Sequence, residues 1–391
     1  MSSRFTLGIE EEFQMVDRQT GQLSSHILTM LEKGAAQFGD KIKAEMLQST
    51  VEIVSDICPN ILAARLEMRQ MRAMLLKLAE QEGLSLISAG THPTSSWTEQ
   101  LATPNERYIE LEEQLQDICR CILIFGLHVH VGVENRELAI SLVNQLRSWL
   151  PHLLALSTNS PFWAGRFTGI KSYRSVIWRP FPRSGVPEPY NSWSDYDHYV
   201  QSLIQAGIID NGKKIWWDIR PHPFFDTVEF RICDMPATLE DTLALAALCQ
   251  ALVAKLAWLH KRGLGMHILP RYYVEENKWQ AMRYGLDGEI IDFVQGRHMP
   301  MRDAIGEMLD FVDDVLDDLG SRQEMDDLRS LLDDPRGTGA DRQVAVYQQT
   351  GSVDAVTRML MEQTMEGVPS ENQGGGKPGP YPVRMGQHRD S

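Results

Sequence analysis

Alternation of apolar and polar residues with a period of two is the clearest pattern in this chain, and it predicts several β-strands. In the first, residues 4–16, apolar side chains share one face while Glu10 and Glu12 lie on the other. Two carboxylates at i and i+2 suit a hard divalent cation bound through oxygens, whereas an acidic strand at a sheet edge would show the same alternation. Glu11 interrupts the apolar face, and the pattern does not explain it.

The second predicted strand, residues 125–133, has an unbroken apolar face opposite two histidines. Its other face carries His128 and His130 between two glycines, which leaves bare backbone beside the imidazoles. Such a pair serves as metal ligands in some hydrolases, and in other proteins it consists of two histidines satisfied by hydrogen bonds. The pair is therefore a candidate metal or ligand site.

A predicted hairpin over residues 216–234 combines many Trp and Phe residues with four charged side chains. Asp218 and Arg220 share one face of its first strand, and Glu229 and Arg231 share one face of its second. A hairpin on the surface would pair such charges in solvent. The aromatic density instead places the strands deep in a domain, where unpaired charges are costly and are retained mainly for function.

A further apolar strand, residues 46–55, carries the carboxylate of Glu52 on the side of Gln48. Amphipathic stretches and capping signals predict helices between the strands. The predicted helices span 61–82, 104–124 with a capping box at Thr103 and Glu106, 135–150, 195–206, 238–262 and most of 301–364.

These elements predict an α+β fold in which the polar strand faces combine into one site. If the strands form one antiparallel sheet with helices behind it, the site holds carboxylates for two or more divalent cations and arginines for the phosphates that such cations bridge. This combination indicates phosphoryl transfer from a nucleotide. The chain has no GxxxxGK[ST] loop and no kinase glycine loop, so the nucleotide is expected to lie on the sheet.

Composition narrows the class of protein. The chain has 391 residues and a formal net charge of -15, which argues against general affinity for nucleic acid or anionic membranes. No apolar run approaches about 18 residues and no signal pattern begins the chain, so we expect a cytoplasmic protein outside the membrane. Five scattered cysteines without a CxxC motif indicate neither a disulfide framework nor a cysteine zinc site.

Residues 159–193 form a predicted loop that is basic within an acidic chain. Its cations are Arg166, Lys171, Arg174, Arg179 and Arg183. A loop of this length is more often functional than idle, so it is a candidate for binding phosphate or an anionic substrate. A solvated surface loop would have the same composition.

No repeat and no second domain boundary is visible in the chain. Residues 1–366 are therefore predicted to form one domain, and residues 367–391 are predicted to form a disordered tail rich in Gly and Pro.

Five motifs in order resemble the type 2 glutamate–cysteine ligases, which are the YbdK-like carboxylate–amine ligases. The motifs are Gly8-Ile9-Glu10-Glu11-Glu12, Gly90-Thr91-His92-Pro93, Asn105-Glu106-Arg107-Tyr108, His128-Val129-His130-Val131-Gly132, and Trp217-Asp218-Ile219-Arg220-Pro221 with Thr227-Val228-Glu229-Phe230-Arg231. The resemblance implies a glutamine-synthetase-like catalytic fold, a curved antiparallel sheet with helices packed on one side. It also implies that ATP and Mg²⁺ are the cofactors, with Mn²⁺ as an alternative metal. The implied reaction forms an acyl-phosphate that an amine attacks, and the implied assembly is a homodimer.

The resemblance assigns roles to the polar strand residues. The implied metal ligands are Glu10, Glu12, Glu52, Glu229 and His130. The implied nucleotide-binding residues are His128, His130, Arg231 and Arg174. The implied catalytic set is Arg220, Glu229, Arg231, Asp218 and Arg174. Gln48 stands where the resemblance leads us to expect a glutamate, which would weaken one metal site.

Substrate identity does not follow from the motifs. The resemblance implies glutamate as the carboxylate and cysteine or another amine as its acceptor, with formation of a γ-glutamyl amide. Two alternatives use the same residues: a metal-dependent hydrolase built on His128 and His130, and a guanidino kinase of the same fold. A catalytically silent scaffold is a third alternative.

Overall fold

A computed structural model describes residues 5–368, and its central feature is one antiparallel sheet. The strands are β1 Leu7–Asp17, β2 Ile42–Ala44, β3 Thr50–Val54, β4 Leu84–Ile87, β5 Leu127–Gly132, β6 Phe162–Trp163, β7 Arg166–Phe167, β8 Ser184–Gly185, β9 Trp216–Trp217, β10 Ile219–Pro221, β11 Thr227–Phe230, β12 Glu289–Asp292 and β13 Arg297–Pro300. The helices are α1 Ile27–Phe38, α2 Ile61–Gln81, α3 Glu106–Leu115, α4 Asp117–Arg120, α5 Arg136–Leu146, α6 Leu150–Ser157, α7 Tyr173–Trp178, α8 Trp193–Gln205, α9 Leu239–His260, α10 Arg271–Tyr284, α11 Met301–Val312, α12 Leu316–Leu319, α13 Arg322–Asp333, α14 Gly339–Thr350 and α15 Val353–Thr364.

Strand β1 organises the main sheet, whose order is β10-β11-β5-β1-β3-β2 with β4 also paired to β1. At 11 residues, β1 is long enough to pair with β3 on one side and with β5 and then β4 on the other. All of these pairings are antiparallel. The predicted α+β class and the predicted hairpin are confirmed.

Helices α2, α5 and α9 cover one face of the sheet and leave the other face for a cleft. Thr238 caps α9 by accepting a hydrogen bond from the backbone N–H of Asp241 at 3.1 Å. The helix is apolar around most of its circumference, as a helix in the core must be. Within residues 5–368 it is the one helix long and apolar enough to span a membrane, and 83% of its most apolar window is buried in the protein.

The buried side of β1 explains Glu11. Glu11 and Arg72 of α2 are 0% and 1% exposed, and the arginine donates to the carboxylate through Nε at 2.9 Å and Nη2 at 2.5 Å. The Thr242 hydroxyl of α9 donates a third hydrogen bond at 2.7 Å. Glu11 therefore lies on the helix-facing side with its apolar neighbours, as a charge neutralised between two helices and the sheet.

The structure corrects the helix predicted over 104–124. Asn105, rather than Thr103, caps α3 by accepting from the backbone N–H of Arg107 at 3.0 Å. The Thr103 hydroxyl donates to the carbonyl of Glu45 instead, at 2.6 Å. The helix then breaks at Gln116, whose φ of 49° is left-handed. The other predicted helices are present, with the helix predicted over 135–150 continuing through a short 3₁₀ turn into α6.

The predicted tail lies outside the described residues, apart from Gly367 and Val368. The division into one domain and a disordered tail stays a prediction.

Candidate active site

Cross-strand register brings the predicted site residues onto the sheet face away from α2 and α9. Directly opposed residues of paired strands point to the same side, so each pair projects into the same space. The opposed pairs are Glu10 with His128, Glu12 with Glu52, His130 with Glu229, and Glu229 with Arg220. They line a cleft of about 520 Å³, a volume typical of small-molecule sites.

The floor of the cleft is an acid cluster, which we define as Glu10, Glu12, Glu45 and Glu52. Ligand atoms of Glu10, Glu52 and the neighbouring His128 lie within 4.8 Å of one another, close enough to bind one cation. Glu10 also bridges the two histidines, with its carboxylate 3.1 Å from Nδ1 of His128 and 3.2 Å from Nε2 of His130.

Burial and mutual repulsion shift the protonation of the acid cluster. Burial, followed by the charges of Glu10, Glu45 and Glu12, raises the pKa of Glu52 well above its ordinary value. Burial and the charge of Glu45 raise the pKa of Glu12 to about 8. Burial acts against ionisation of Glu10 as well, but His130 and His128 hold its pKa well below the ordinary value. Several carboxylates crowded in this way require protons or cations to compensate them.

Glu45 is a cleft residue that the sequence patterns did not identify. It follows β2 in a segment without alternation, so its chain position alone carries no signal of its orientation. Gln48, which the resemblance would replace by a glutamate, instead donates to the carbonyl of Ala102 at 2.9 Å and does not line the cleft. Glu45, three residues earlier in the chain, places a carboxylate in the cleft.

Glu229 joins two arginines at the other end of the cleft. Arg220 donates to its two oxygens at 2.7 and 3.0 Å, and Arg231 donates to Oε1 at 2.6 Å. Burial alone would raise the pKa of Glu229, but the charges of Arg220, Arg231 and His130 hold it well below its ordinary value. In this structure Glu229 is ionised and bonded to guanidinium groups rather than to the acid cluster.

Arg220 and Arg231 differ in how many of their N–H groups are already hydrogen-bonded within the protein. Arg220 is 5% exposed, and its Nη1 donates to the carbonyls of Lys213 and Ile215 in addition to the bonds with Glu229. Arg231 lines the cleft, and its Nε has no hydrogen-bond partner among residues 5–368. Arg231 is therefore the guanidinium available to a phosphate, while Arg220 fixes Glu229.

The segment predicted to be a basic loop is partly regular, because it contains helix α7, and Arg174 of this helix enters the cleft. Its guanidinium lies over Gly126, where any side chain would collide with it, and it donates to the carbonyls of Ile232 and Arg231 at 3.2 and 3.1 Å. The glycine beside the histidines thus leaves space for this arginine. The neighbouring cation Arg179 is exposed, and Arg166 is exposed in β7.

Asp218 is the predicted catalytic residue that the structure does not place with the others. It is 4% exposed and bonds to Lys278 of α10 at 2.6 Å. It lines a second cavity that adjoins the cleft. The strand is interrupted at Asp218, between β9 and β10, so the alternation that predicts its side does not hold there.

Comparison with known proteins identifies the family. A family model described as glutamate-cysteine ligase family 2 matches residues 6–359. This chain belongs to glutamate–cysteine ligase family 2. It is 49% identical over 364 residues to a protein of Solibacter usitatus named "Putative glutamate--cysteine ligase 2", covering 93% of this chain and 94% of that protein. A protein of the same name from Sorangium cellulosum is 49% identical over 370 residues, which cover 94% of this chain and 98% of that protein.

Two solved structures have the same fold. The chain matches glutamate–cysteine ligase from Francisella tularensis in complex with AMP with a TM-score of 0.69 and 12% identity, over 93% of this chain and 89% of that one. It matches a bifunctional glutathione synthetase from Pasteurella multocida with a TM-score of 0.70 and 15% identity. That match covers 93% of this chain and 53% of the synthetase chain. At these identities the likeness concerns the fold alone, and it confirms the predicted fold class.

Family membership confirms the predicted class of activity, an ATP-dependent carboxylate–amine ligase. The hydrolase and guanidino kinase alternatives gain no support from these comparisons. The comparisons do not test the individual site residues, whose predicted roles stay predictions.

A second residue that the patterns missed, Asp234, anchors the basic loop of this ligase. Asp234 is fully buried and accepts hydrogen bonds from the Ser160 hydroxyl at 2.6 Å, the Ser172 hydroxyl at 2.8 Å and the backbone N–H of Asn159 at 2.9 Å. The Ser160 hydroxyl in turn accepts from the backbone N–H of Arg174 at 3.1 Å. Asp234 lies beyond β11 and so outside any alternating pattern.

We expect Ser172→Ala to lower the free energy of unfolding of the ligase by about 1.5–3 kcal/mol, because it removes a hydrogen bond to a buried carboxylate. Urea denaturation of the variant and the parent measures this difference. Ser202→Ala is the matched control, since its exposed hydroxyl bonds only to a carbonyl of its own helix. Equal losses in the two variants would contradict the anchoring role of Asp234.

Proposed function

We propose that this ligase uses ATP to activate the γ-carboxyl group of glutamate and joins it to an amine in the cleft on the sheet. The observation that supports this proposal is the acid cluster and the guanidinium of Arg231 facing one cavity. In such a reaction a carboxylate must approach a polyphosphate, and both are anions. Catalysis of this step is mainly positioning and neutralisation of charge.

We further propose that the acid cluster holds Mg²⁺, or Mn²⁺ in its place. The donor set fits a hard cation, because it consists mostly of carboxylate oxygens on neighbouring strands. The crowding of these carboxylates also fits a bound cation, since burial first and then the charges of its neighbours raise the pKa of Glu52 well above the ordinary value. Glu10, Glu52 and His128 would hold a cation, with Glu12 and Glu45 beside them. A bound divalent cation supplies charge neutralisation for the phosphates of ATP.

The arginines and histidines then have separate tasks. Arg231, oriented by Glu229, contacts the transferring phosphate. Arg174, held by backbone carbonyls and the anchored loop, contacts a phosphate or the substrate carboxylate from the other wall. His130 bridges Glu10 and Thr227, at 3.2 Å and 3.3 Å, and so keeps the carboxylate of Glu10 turned into the cleft.

Cation binding is expected to release protons. Glu12 retains a proton below pH 8, because burial and Glu45 raise its pKa to about 8. A cation bound at lower pH must displace that proton, so Mg²⁺ affinity should rise as the pH increases toward 8. Calorimetric titration with Mg²⁺ at about pH 7 in buffers of different ionisation enthalpy measures the release. Glu12→Gln should release fewer protons than the parent, and equal heats in all buffers for the parent would contradict the expectation.

The proposed function is tested by following ADP and orthophosphate from Mg-ATP with glutamate and a panel of amines that includes cysteine. Amine-dependent release of both products, together with a γ-glutamyl amide, is the expected result. ADP without orthophosphate would indicate a guanidino kinase. Amide or ester hydrolysis without ATP would indicate a metal-dependent hydrolase.

We also propose a cytoplasmic homodimer. Support comes from Leu62 and Leu66, which are one turn apart on α2 and 59% and 65% exposed. Exposed apolar side chains that lie together on a surface contribute to the patches that partners cover. Light scattering of the intact chain measures the oligomeric state.

A further inference from the structure

The start of α3 lies at the cleft, where Arg107 and Tyr108 line the wall. Both belong to residues 104–118, which we define as the flap. None of the flap residues is buried, whereas Thr103 and Cys119, which flank the flap, are buried. The flap is therefore an exposed segment between two buried anchors, and it has few packed side chains to hold it in one position.

Both anchors attach the flap to the segment that carries Glu45 of the acid cluster. The Thr103 hydroxyl donates to the carbonyl of Glu45 at 2.6 Å, and the Thr103 backbone N–H donates to the carbonyl of Met46 at 2.8 Å. The Cys119 thiol lies 3.3 Å from the sulfur of Met46. A change in the position of Glu45 on cation binding would therefore be transmitted to both ends of the flap.

The flap also supplies a cleft arginine that has no partner. The arginines that line the cleft are Arg107, Arg174, Arg220 and Arg231. Arg174 donates to backbone carbonyls, and Arg220 and Arg231 donate to Glu229. Arg107 is exposed, and its side chain forms no ion pair and no hydrogen bond with any of residues 5–368. Its guanidinium is therefore available to a ligand.

Arg107 lies on the side of the cleft where the acid cluster is. Burial, followed by the charge of Glu10, raises the pKa of Glu45, and the charge of Arg107 acts in the opposite direction. The Tyr108 hydroxyl fixes the start of α3 there by donating to the carbonyl of Ala44 at 3.0 Å. A nucleotide whose cation lies on the acid cluster would bring phosphate oxygens to the same place. Guanidinium groups bind phosphate through paired N–H groups, so Arg107 suits this ligand.

We propose that the flap closes over the acid cluster when a cation-bound nucleotide binds, and that Arg107 then contacts the phosphates. The inference rests on the proposed function. Arg107 gains a partner only when the nucleotide is present, and this difference in contacts is what favours the closed position. Closure would also keep water away from the acyl-phosphate, as the lids of other enzymes do for their reactions.

Hydrogen–deuterium exchange of the intact ligase tests closure, with Mg²⁺ and the non-hydrolysable analogue β,γ-imido-ATP as the probe. The amide hydrogens of residues 104–118 should exchange more slowly with the probe than with Mg²⁺ alone, and Arg107→Gln should lose this difference. Calorimetry should give a dissociation constant for the probe about tenfold higher in Arg107→Gln than in the parent, as loss of one charge-assisted hydrogen bond does. Arg358→Gln, which removes an exposed arginine of α15, is the matched control and should behave as the parent in both measurements.

The outcomes separate the inference from the proposed function. A parent that does not bind the probe overturns the proposed function and the inference with it. A parent that binds the probe without slower exchange in residues 104–118 overturns closure of the flap alone. Binding and exchange in Arg107→Gln equal to those of the parent overturn the contact assigned to Arg107. Weaker binding of Mg²⁺ alone by Arg107→Gln would trace the effect to the acid cluster and would overturn that contact as well.

Discussion

Replacement of Glu10 by glutamine is expected to lower ATP-dependent turnover by about 10²- to 10³-fold while leaving the protein folded. The side chain keeps its shape but loses the charge that contacts both His128 and His130 and contributes to the candidate cation site. Steady-state turnover at saturating Mg-ATP measures the loss. Circular dichroism and thermal unfolding check that the variant retains the parent fold.

Glu32→Gln, which removes an exposed carboxylate on α1, is the matched control and should retain parental turnover. Raising the Mg²⁺ or Mn²⁺ concentration should restore part of the activity of Glu10→Gln, because a weakened cation site can be filled by mass action. Damage to folding would not respond in this way. Parental turnover in Glu10→Gln would contradict the role of the acid cluster.

Replacement of Glu11 by alanine is expected to lower the free energy of unfolding by about 3–5 kcal/mol, although Glu11 lies outside the cleft. The substitution leaves the guanidinium of Arg72, which is 1% exposed, without its carboxylate partner between the sheet and α2. Removing one member of a buried ion pair costs more than the pair contributes, because an uncompensated charge remains buried. Urea denaturation measures the loss.

The double variant Glu11→Leu with Arg72→Met tests the cause of that loss. Replacing both charges by apolar groups of similar size should recover most of the stability, since no buried charge is left unpaired. Glu11→Leu alone should remain destabilised. A double variant as unstable as the sum of the two single variants would contradict the ion-pair explanation.

The strand faces could be predicted from the sequence because side chains in a strand alternate with a fixed period. Glu10, Glu12, His128 and His130 follow that rule, and register then brings them together. Glu52 lies opposite Glu12 because of the register between β1 and β3. That register depends on both strands and cannot be read from the sequence of either one alone. The resemblance of the motifs to the family supplied the predicted roles of these residues, which alternation alone did not indicate.

Residues whose role depends on distant partners could not be predicted in the same way. Glu11 breaks the pattern because its partner, Arg72, is on a helix 61 residues away. Glu45 and Asp234 lie outside regular strands, where alternation gives no orientation. Asp218 lies at an interruption between β9 and β10 and points to a neighbouring cavity. In each case tertiary contacts, and not the local pattern, decide where the side chain lies.

The central claim is that the cleft transfers the γ-phosphoryl group of ATP to a carboxylate, which an amine then attacks. Glutamate labelled with ¹⁸O in its γ-carboxyl group tests this claim most directly. The oxygen that attacks the phosphorus stays with it when the amine displaces the phosphate, so mass spectrometry should find one ¹⁸O in each orthophosphate released. Orthophosphate without the label would mean that water attacked ATP directly, and it would contradict the account.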